Sequence, residues 1–209
     1  MSEDTRHDRM GGSSPEVRVF DTAESAVEAA VIEIAGEVRR LAADRGRAIV
    51  VFDGDGELRD LYAGLSKVAD LPWIRVIGLQ LSEIQGMSED SPSSRRSLLI
   101  EALVAGVPMA EFHGLRGDAA NPDAVCANYE SLLDSRPPDI AVLGVAAYLR
   151  LAGRARRVEI LRDRQPGEIS LTLPAIQACT RLFIFGNGRL PDSIDHPSAT
   201  VFLHQNKRH

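Results

Sequence analysis

The stretch Ala48-Ile49-Val50-Val51-Phe52-Asp53-Gly54-Asp55-Gly56-Glu57 decides the fold. Its first five residues are apolar without alternation, charges precede them, and a Gly-rich acidic loop follows. A short continuous apolar run of this kind reads as a strand covered on both faces, which is the environment of a parallel sheet with helices above and below. Working backward, Asp21 or Thr22 can cap a helix whose apolar positions Val27, Ala30, Val31, Ile34, Val38 and Leu41 recur at helical spacing, and Gly46 ends it. Val17–Phe20 forms a strand before that helix.

Working forward, the alternation repeats. Helices are expected over Glu57–Lys67, Ser93–Ala105 and Asp123–Asp134, and strands over Arg75–Leu81 and Ile140–Leu143. Strands Ile169–Leu173, Leu182–Phe185 and Ala199–Leu203 follow, with a short helix from Pro174. This order predicts one α/β/α three-layer domain over residues 16–204 with a mainly parallel sheet, between tails at 1–15 and 205–209. Ligands of such sheets bind at the carboxyl ends of the strands, so the loops at 53–57, 82–92, 144–154 and 186–190 are the places to search.

The chain has 209 residues, 44% hydrophobic and 26% charged, with a formal net charge of −6. That is enough for a sizeable core, and it disfavours a nucleic-acid binder acting through its overall field. The polar N-terminus and the lack of any long apolar stretch predict a cytoplasmic protein that does not enter a membrane. Cys126 and Cys179 show no metal-ligand spacing, and neither do His7, His113, His196, His204 and His209, so no metal or other cofactor is expected.

Asp53-Gly54-Asp55-Gly56-Glu57 sits where a loop could cradle phosphate, but its carboxylates oppose a phosphate and it lacks the Gly-Lys-Ser/Thr of a P-loop. It is a solvated turn or a site for a cation or amine. Ser82-Glu83 brings a carboxylate to another strand end. Residues 150–164 carry six arginines against Glu159 and Asp163, which reads as an exposed helix or loop, or as a grip for phosphate, RNA or an acidic protein partner.

Taken in order, Leu61-Tyr62, Pro72-Trp73-Ile74-Arg75-Val76, Ser82-Glu83-Ile84, Asp90-Ser91-Pro92-Ser93-Ser94, Val107-Pro108-Met109, Phe112–Asp118, Tyr129-Glu130, Pro138–Gly144 and Leu171-Thr172-Leu173-Pro174 form a recognisable set with the acidic loop. The set resembles the 6-phosphogluconolactonase and glucosamine-6-phosphate deaminase superfamily from residue 17 to residue 203. The resemblance implies that family's α/β fold and a cleft for a sugar phosphate. Position by position, however, it puts Gly56 and Glu57 where the phosphate-loop Ser and Thr stand, and Ser82 and Ile84 beside the matching Glu83 of the Asp-Glu-Arg/Tyr segment. Only Gly144 matches the first glycine of Gly-x-Gly-x-Asp-Gly-His; Arg150 falls on the histidine. Glu168 falls on an arginine, and Arg189 on the late phosphate-binding lysine. The chain between Gly144 and Leu171 is also shorter than the family's.

The expectation is therefore a divergent lactonase-like protein of carbohydrate or secondary metabolism, with the parent chemistry lost and a binding or accessory role. The alternative is a re-purposed hydrolase or isomerase for a sugar-like lactone or amino compound without phosphate. Its expected ligand site comprises Asp53, Gly54, Asp55, Glu57, Ser82, Gly144, Arg150, Glu168 and Arg189, with Glu83 as base and Glu57, Glu83 and Glu168 sharing one pocket. A third reading is binding of an acidic partner or RNA through Arg150–Arg164.

Overall fold

The computed structural model describes residues 15–151, 156–163, 165–187, 194 and 196–205. Both expected tails fall largely outside these residues. The unbroken apolar run is β2 (Ala48–Phe52), with every residue buried. It pairs in parallel with β3 (Val76–Gln80) on one side and β6 (Ile140–Gly144) on the other. The remaining members are β1 (Glu16–Phe20), β5 (Glu111–His113), β9 (Arg181–Gly186) and β10 (Ala199–His204), and the seven-stranded order is β1-β10-β9-β6-β2-β3-β5. Every pairing in this sheet is parallel, as the continuous apolar runs predicted.

The helix α1 (Ala23–Arg45) starts at Thr22, whose hydroxyl accepts from the Ser25 amide at 3.1 Å, and stops at Gly46 in the left-handed region at φ 77°. Its Ala26, Ala30, Ile34, Val38 and Leu41 pack on one sheet face with Val50, Phe52 and Phe183. Val27 and Val31 turn instead toward Gly64 of α2 (Arg59–Ser66), which explains an apolar stripe wider than the sheet contact alone requires. The opposite face carries Ile49, Val51, Leu79, Ala141 and Leu143 against Tyr129 and Leu133 of α4 (Pro122–Ser135). Each large side chain buried in these two layers contributes about 2 kcal/mol.

Three expectations are corrected. The segment after Arg75 gives β3 and then a separate strand, β4 (Ser82–Ile84), which leaves the main sheet. It pairs antiparallel with β8 (Glu168–Leu171), which pairs antiparallel with β7 (Val158–Leu161). Within the arginine-rich segment, read as an exposed helix or loop, Val158–Leu161 is a strand with Val158 and Leu161 buried, while Arg150 ends a helix. The helix expected over Ser93–Ala105 is shorter, α3 (Arg95–Ala102), with Ser94 as its cap. Two short helices complete the chain, α5 (Val145–Arg150) and α6 (Leu173–Gln177).

The chain leaves β2 toward β3 but leaves β6 toward β9, so the sheet order reverses between β2 and β6. Crevices at such reversals, outside the carboxyl ends of the strands, are where open α/β sheets bind ligands.

Candidate functional site

Asp53 follows the last residue of β2 directly at this reversal and is fully buried. Its Oδ2 accepts the Gly144 amide at 3.1 Å, so the carboxylate bridges the ends of β2 and β6. Its Oδ1 is buried without a hydrogen-bond partner among the described residues. Burial pushes the Asp53 pKa up to about 6; the Gly144 amide opposes this, Asp55 adds to it, and Arg95 and Arg150 oppose it. The Tyr62 hydroxyl donates to the Asp53 carbonyl at 2.6 Å and locks the turn from below, and its own pKa is driven well above the ordinary value by burial.

The acidic loop is therefore no open cradle. Asp55 spends its side chain capping a 3-10 turn, accepting the Glu57 amide at 3.1 Å. Gly54 packs directly beneath α3, where a Cβ would lie 2.4 Å from the Arg95 carbonyl oxygen. Glu57 reaches across to β9, where its Oε1 accepts the Asn187 amide at 3.0 Å. Gly186 makes that approach possible: its φ is 146°, and a Cβ there would stand 2.8 Å from the same oxygen. A side chain on Gly144 would meet Asp53 Oδ2 at 3.4 Å and Glu57 Oε2 at 3.8 Å, so the two carboxylates face one point of the crevice.

A second cluster lies at β4. Glu83 is 1% exposed and accepts from five donors: the amides of Ile84 at 2.8 Å, Arg95 at 3.2 Å and Arg96 at 2.9 Å, the Ser94 hydroxyl at 2.8 Å, and Gln80 Nε2 at 3.2 Å. Three of these donors open α3, so Glu83 neutralises the positive end of that helix. Arg95 then crosses the crevice. One guanidinium nitrogen donates to Ser82 Oγ at 2.6 Å and the other to Glu168 Oε1 at 2.9 Å, with only 13% of Arg95 and 11% of Glu168 side-chain surface exposed. Burial alone would weaken the basicity of Arg95, but Glu168, with Asp53 and Glu83, outweighs it and the guanidinium stays charged.

Of the expected site residues, Asp53, Gly54, Asp55, Glu57 and Gly144 come together at the reversal, and Ser82, Glu83 and Glu168 gather around Arg95. Glu57 belongs to the first group and Glu83 and Glu168 to the second; Arg95, close enough to both to act on Asp53 and Glu83, joins them. Arg150, at the end of α5, acts on Asp53 only through its field. Arg189 lies outside the described residues, as do residues 152–155 and 164 of the arginine-rich segment. Within that segment Arg157 binds Asp134 at 2.7 Å and Arg162 approaches Asp123 at 3.8 Å, so two of its cations are balanced by α4. Sequence reasoning missed Arg95 and Asn187. The one available signal for Arg95 was its place directly after Asp90–Ser94, a segment that carries the resemblance.

Among the described residues no group of three or more His, Cys, Asp or Glu is placed to hold a metal ion, and no helix is long and apolar enough to cross a membrane. Cys126 and Cys179 are both buried free thiols.

A parallel seven-stranded sheet, with an antiparallel three-stranded sheet beside the carboxyl ends of its central strands, places the chain among the sugar-phosphate lactonase and deaminase folds. No family model matches it. Its structure superimposes on the 6-phosphogluconolactonase of Thermotoga maritima with a TM-score of 0.79 at 17% identity, covering 92% of this chain and 100% of that one. A monomeric glucosamine-6-phosphate deaminase gives 0.76 at 16% identity, covering 91% and 97%. In sequence, the glucosamine-6-phosphate deaminase of Listeria innocua is 34% identical over 85 residues, 41% of this chain and 36% of that protein. The corresponding deaminase of Pediococcus pentosaceus is 27% identical over 120 residues, 55% and 48%. The matched stretch spans between a third and a half of these curated relatives. Both comparisons bear out the resemblance to the 6-phosphogluconolactonase and glucosamine-6-phosphate deaminase superfamily.

Proposed function

We propose that this chain is a lactonase-fold protein whose sugar-phosphate chemistry has been lost and which serves as a binding or accessory protein in carbohydrate-related metabolism. The observation that carries this reading is the Arg95–Glu168 pair lying across the crevice at 2.9 Å, with Ser82 where the resembling enzymes have their catalytic Asp. The position of the family's arginine is a carboxylate, and the arginine that answers it comes from α3. The amides that an anion would use are already taken, Gly144 by Asp53 and Asn187 by Glu57. Glu83 is a positioning residue here, holding the start of α3 and thereby Arg95.

The test is a turnover assay on 6-phosphogluconolactone and glucosamine 6-phosphate, paired with thermal shifts in each. The expectation is no rate above the uncatalysed one and no stabilisation by either compound. Hydrolysis or deamination that disappears in Arg95→Met or Glu83→Gln would overturn the reading.

A second reading, a re-purposed enzyme for an unphosphorylated lactone or amino sugar, is favoured by one feature. Asp53 is a buried carboxyl with a pKa of about 6, an unpartnered oxygen and a second carboxylate, Glu57, facing the same point. Such a group is poised for proton transfer near neutral pH. In that case Asp53→Asn abolishes a turnover that Glu83→Gln only weakens.

A further inference from the structure

Away from the crevice, the edge strand β5 and the helix α4 enclose a groove of about 520 Å3. Pockets of this size accommodate small organic molecules. The cations in its lining are Arg96 and Arg116, with His113 beside them, and no carboxylate lines it. That is unexpected in a chain with a net charge of −6. The carboxylates of Glu89, Glu111 and Asp118 contact these three side chains from outside the lining.

Both arginines keep donors for a ligand. Arg96 bonds Glu89 through one terminal nitrogen while 27% of its side chain stays exposed, and its Nε is buried with no acceptor among the described residues. An unpaired buried donor is destabilising unless water or a ligand supplies an acceptor. The side chain reaches this position because residue 114 is glycine: a Cβ there would lie 2.8 Å from both Cδ and Nε of Arg96. Arg116 is 67% exposed and has only a loose 3.7 Å approach to Asp118, so most of its planar fork is open. Beneath them, Phe112, Val125 and Leu132 are half-buried apolar residues that line the groove while packing on the two cores. Guanidinium groups above an apolar floor match a planar carboxylate carried on an apolar body, because a carboxylate takes paired N–H donors and the body covers the floor.

We propose that the groove between β5 and α4 binds a small aryl or similarly apolar carboxylate, its acid group on Arg96 and Arg116 and its body over Phe112, Val125 and Leu132. This site uses none of the crevice residues and does not depend on the function proposed for them.

The probe is 2-naphthoate, with the neutral 2-naphthamide as its isosteric control, followed by amide chemical shifts and by titration calorimetry on the full chain. The expected result is saturable binding that moves the amides of Gly114, Arg116 and Asn128, with the carboxamide weaker by about tenfold or more. Arg116→Gln, at an exposed position, is expected to weaken the acid by about tenfold while leaving the carboxamide unchanged. Asn128→Trp, on the exposed side of α4, should fill the groove and block both. Absence of saturable binding at millimolar naphthoate overturns the proposal. So does equal binding of the two probes, or undiminished binding to Arg116→Gln.

Discussion

Replacing Arg95 by Met tests the central feature of the crevice. Methionine keeps most of the apolar stem, so the change removes the guanidinium and little packing. Two hydrogen bonds are lost, to Ser82 Oγ at 2.6 Å and to Glu168 Oε1 at 2.9 Å, and Glu168, 11% exposed, loses the Arg95 charge beside it. Breaking a buried ion pair from one side costs about 3–5 kcal/mol. The residual exposure of both partners lowers this to about 2–4 kcal/mol here, since solvent screens part of the interaction. For a chain of 209 residues that corresponds to a fall in Tm of about 5–15 °C. The measurement is urea denaturation of the parent chain, Arg95→Met, Glu168→Gln and the double variant. If the pair acts as described, the double variant is more stable than the sum of the singles predicts by at least about 1 kcal/mol, because removing the second charge relieves the burial left by the first. A loss below about 1 kcal/mol in Arg95→Met, or strict additivity, would show that the pair does not close the crevice.

Three further outcomes follow from the same geometry. Asp53 has a folded pKa of about 6 against an ordinary 3.8, so the folded state holds the extra proton and this group's contribution to stability falls as pH rises from about 4 to 7; Asp53→Asn removes a penalty of up to about 3 kcal/mol at pH 7.5 and almost none at pH 3.5, read from denaturation curves at both pH values. Glu83→Gln keeps the shape but removes the charge from five donors, and is expected to cost about 1–3 kcal/mol and to speed amide exchange at Arg95 and Arg96. Gly186→Ala puts a Cβ 2.8 Å from Glu57 Oε1 at a φ of 146°, so it should cost about 1–3 kcal/mol and shift the Asn187 amide resonance as Glu57 is displaced.

The parts of the fold legible in the sequence are those whose signals are local. The unbroken run of β2, the Thr22 cap and the Gly46 stop each lie within a few residues of what they determine. β7 was not legible because Arg156, Arg157, Glu159 and Arg162 dominate the composition, while the strand is created by pairing with β8 and by burying Val158 and Leu161. β5 is only three residues long and sits at a sheet edge, too short to show a period. The same distinction governs the site. Asp53 was found because a strand end is visible in the sequence. Glu83 was found as a residue of interest, but its five donors include three from residues 94–96, and nothing in the spacing announces that a helix start folds back onto it. Arg95 meets Glu168 across 73 positions of chain, a relation only the fold creates.

Asp53, Glu57 and Glu168, expected at one ligand site, each take a donor from within the protein, Gly144, Asn187 and Arg95 respectively, and this bears on what the crevice can accept. A phosphate entering at the reversal would have to displace Glu57 from the Asn187 amide and compete with Glu168 for Arg95, exchanging one anion for another at each donor. The internal carboxylates are already held in place, whereas the incoming ligand loses its translational freedom. The displaced carboxylate would remain nearby, and two unit charges 4 Å apart repel by about 4 kcal/mol at an effective dielectric of 20. Buried Asp53 would add a further repulsion whenever it is ionised. A ligand without a phosphate meets none of these costs, and one carrying an amine could supply the donor that Asp53 Oδ1 lacks among the described residues. On the proposed reading, the arrangement therefore disfavours a phosphorylated ligand in this crevice by electrostatics.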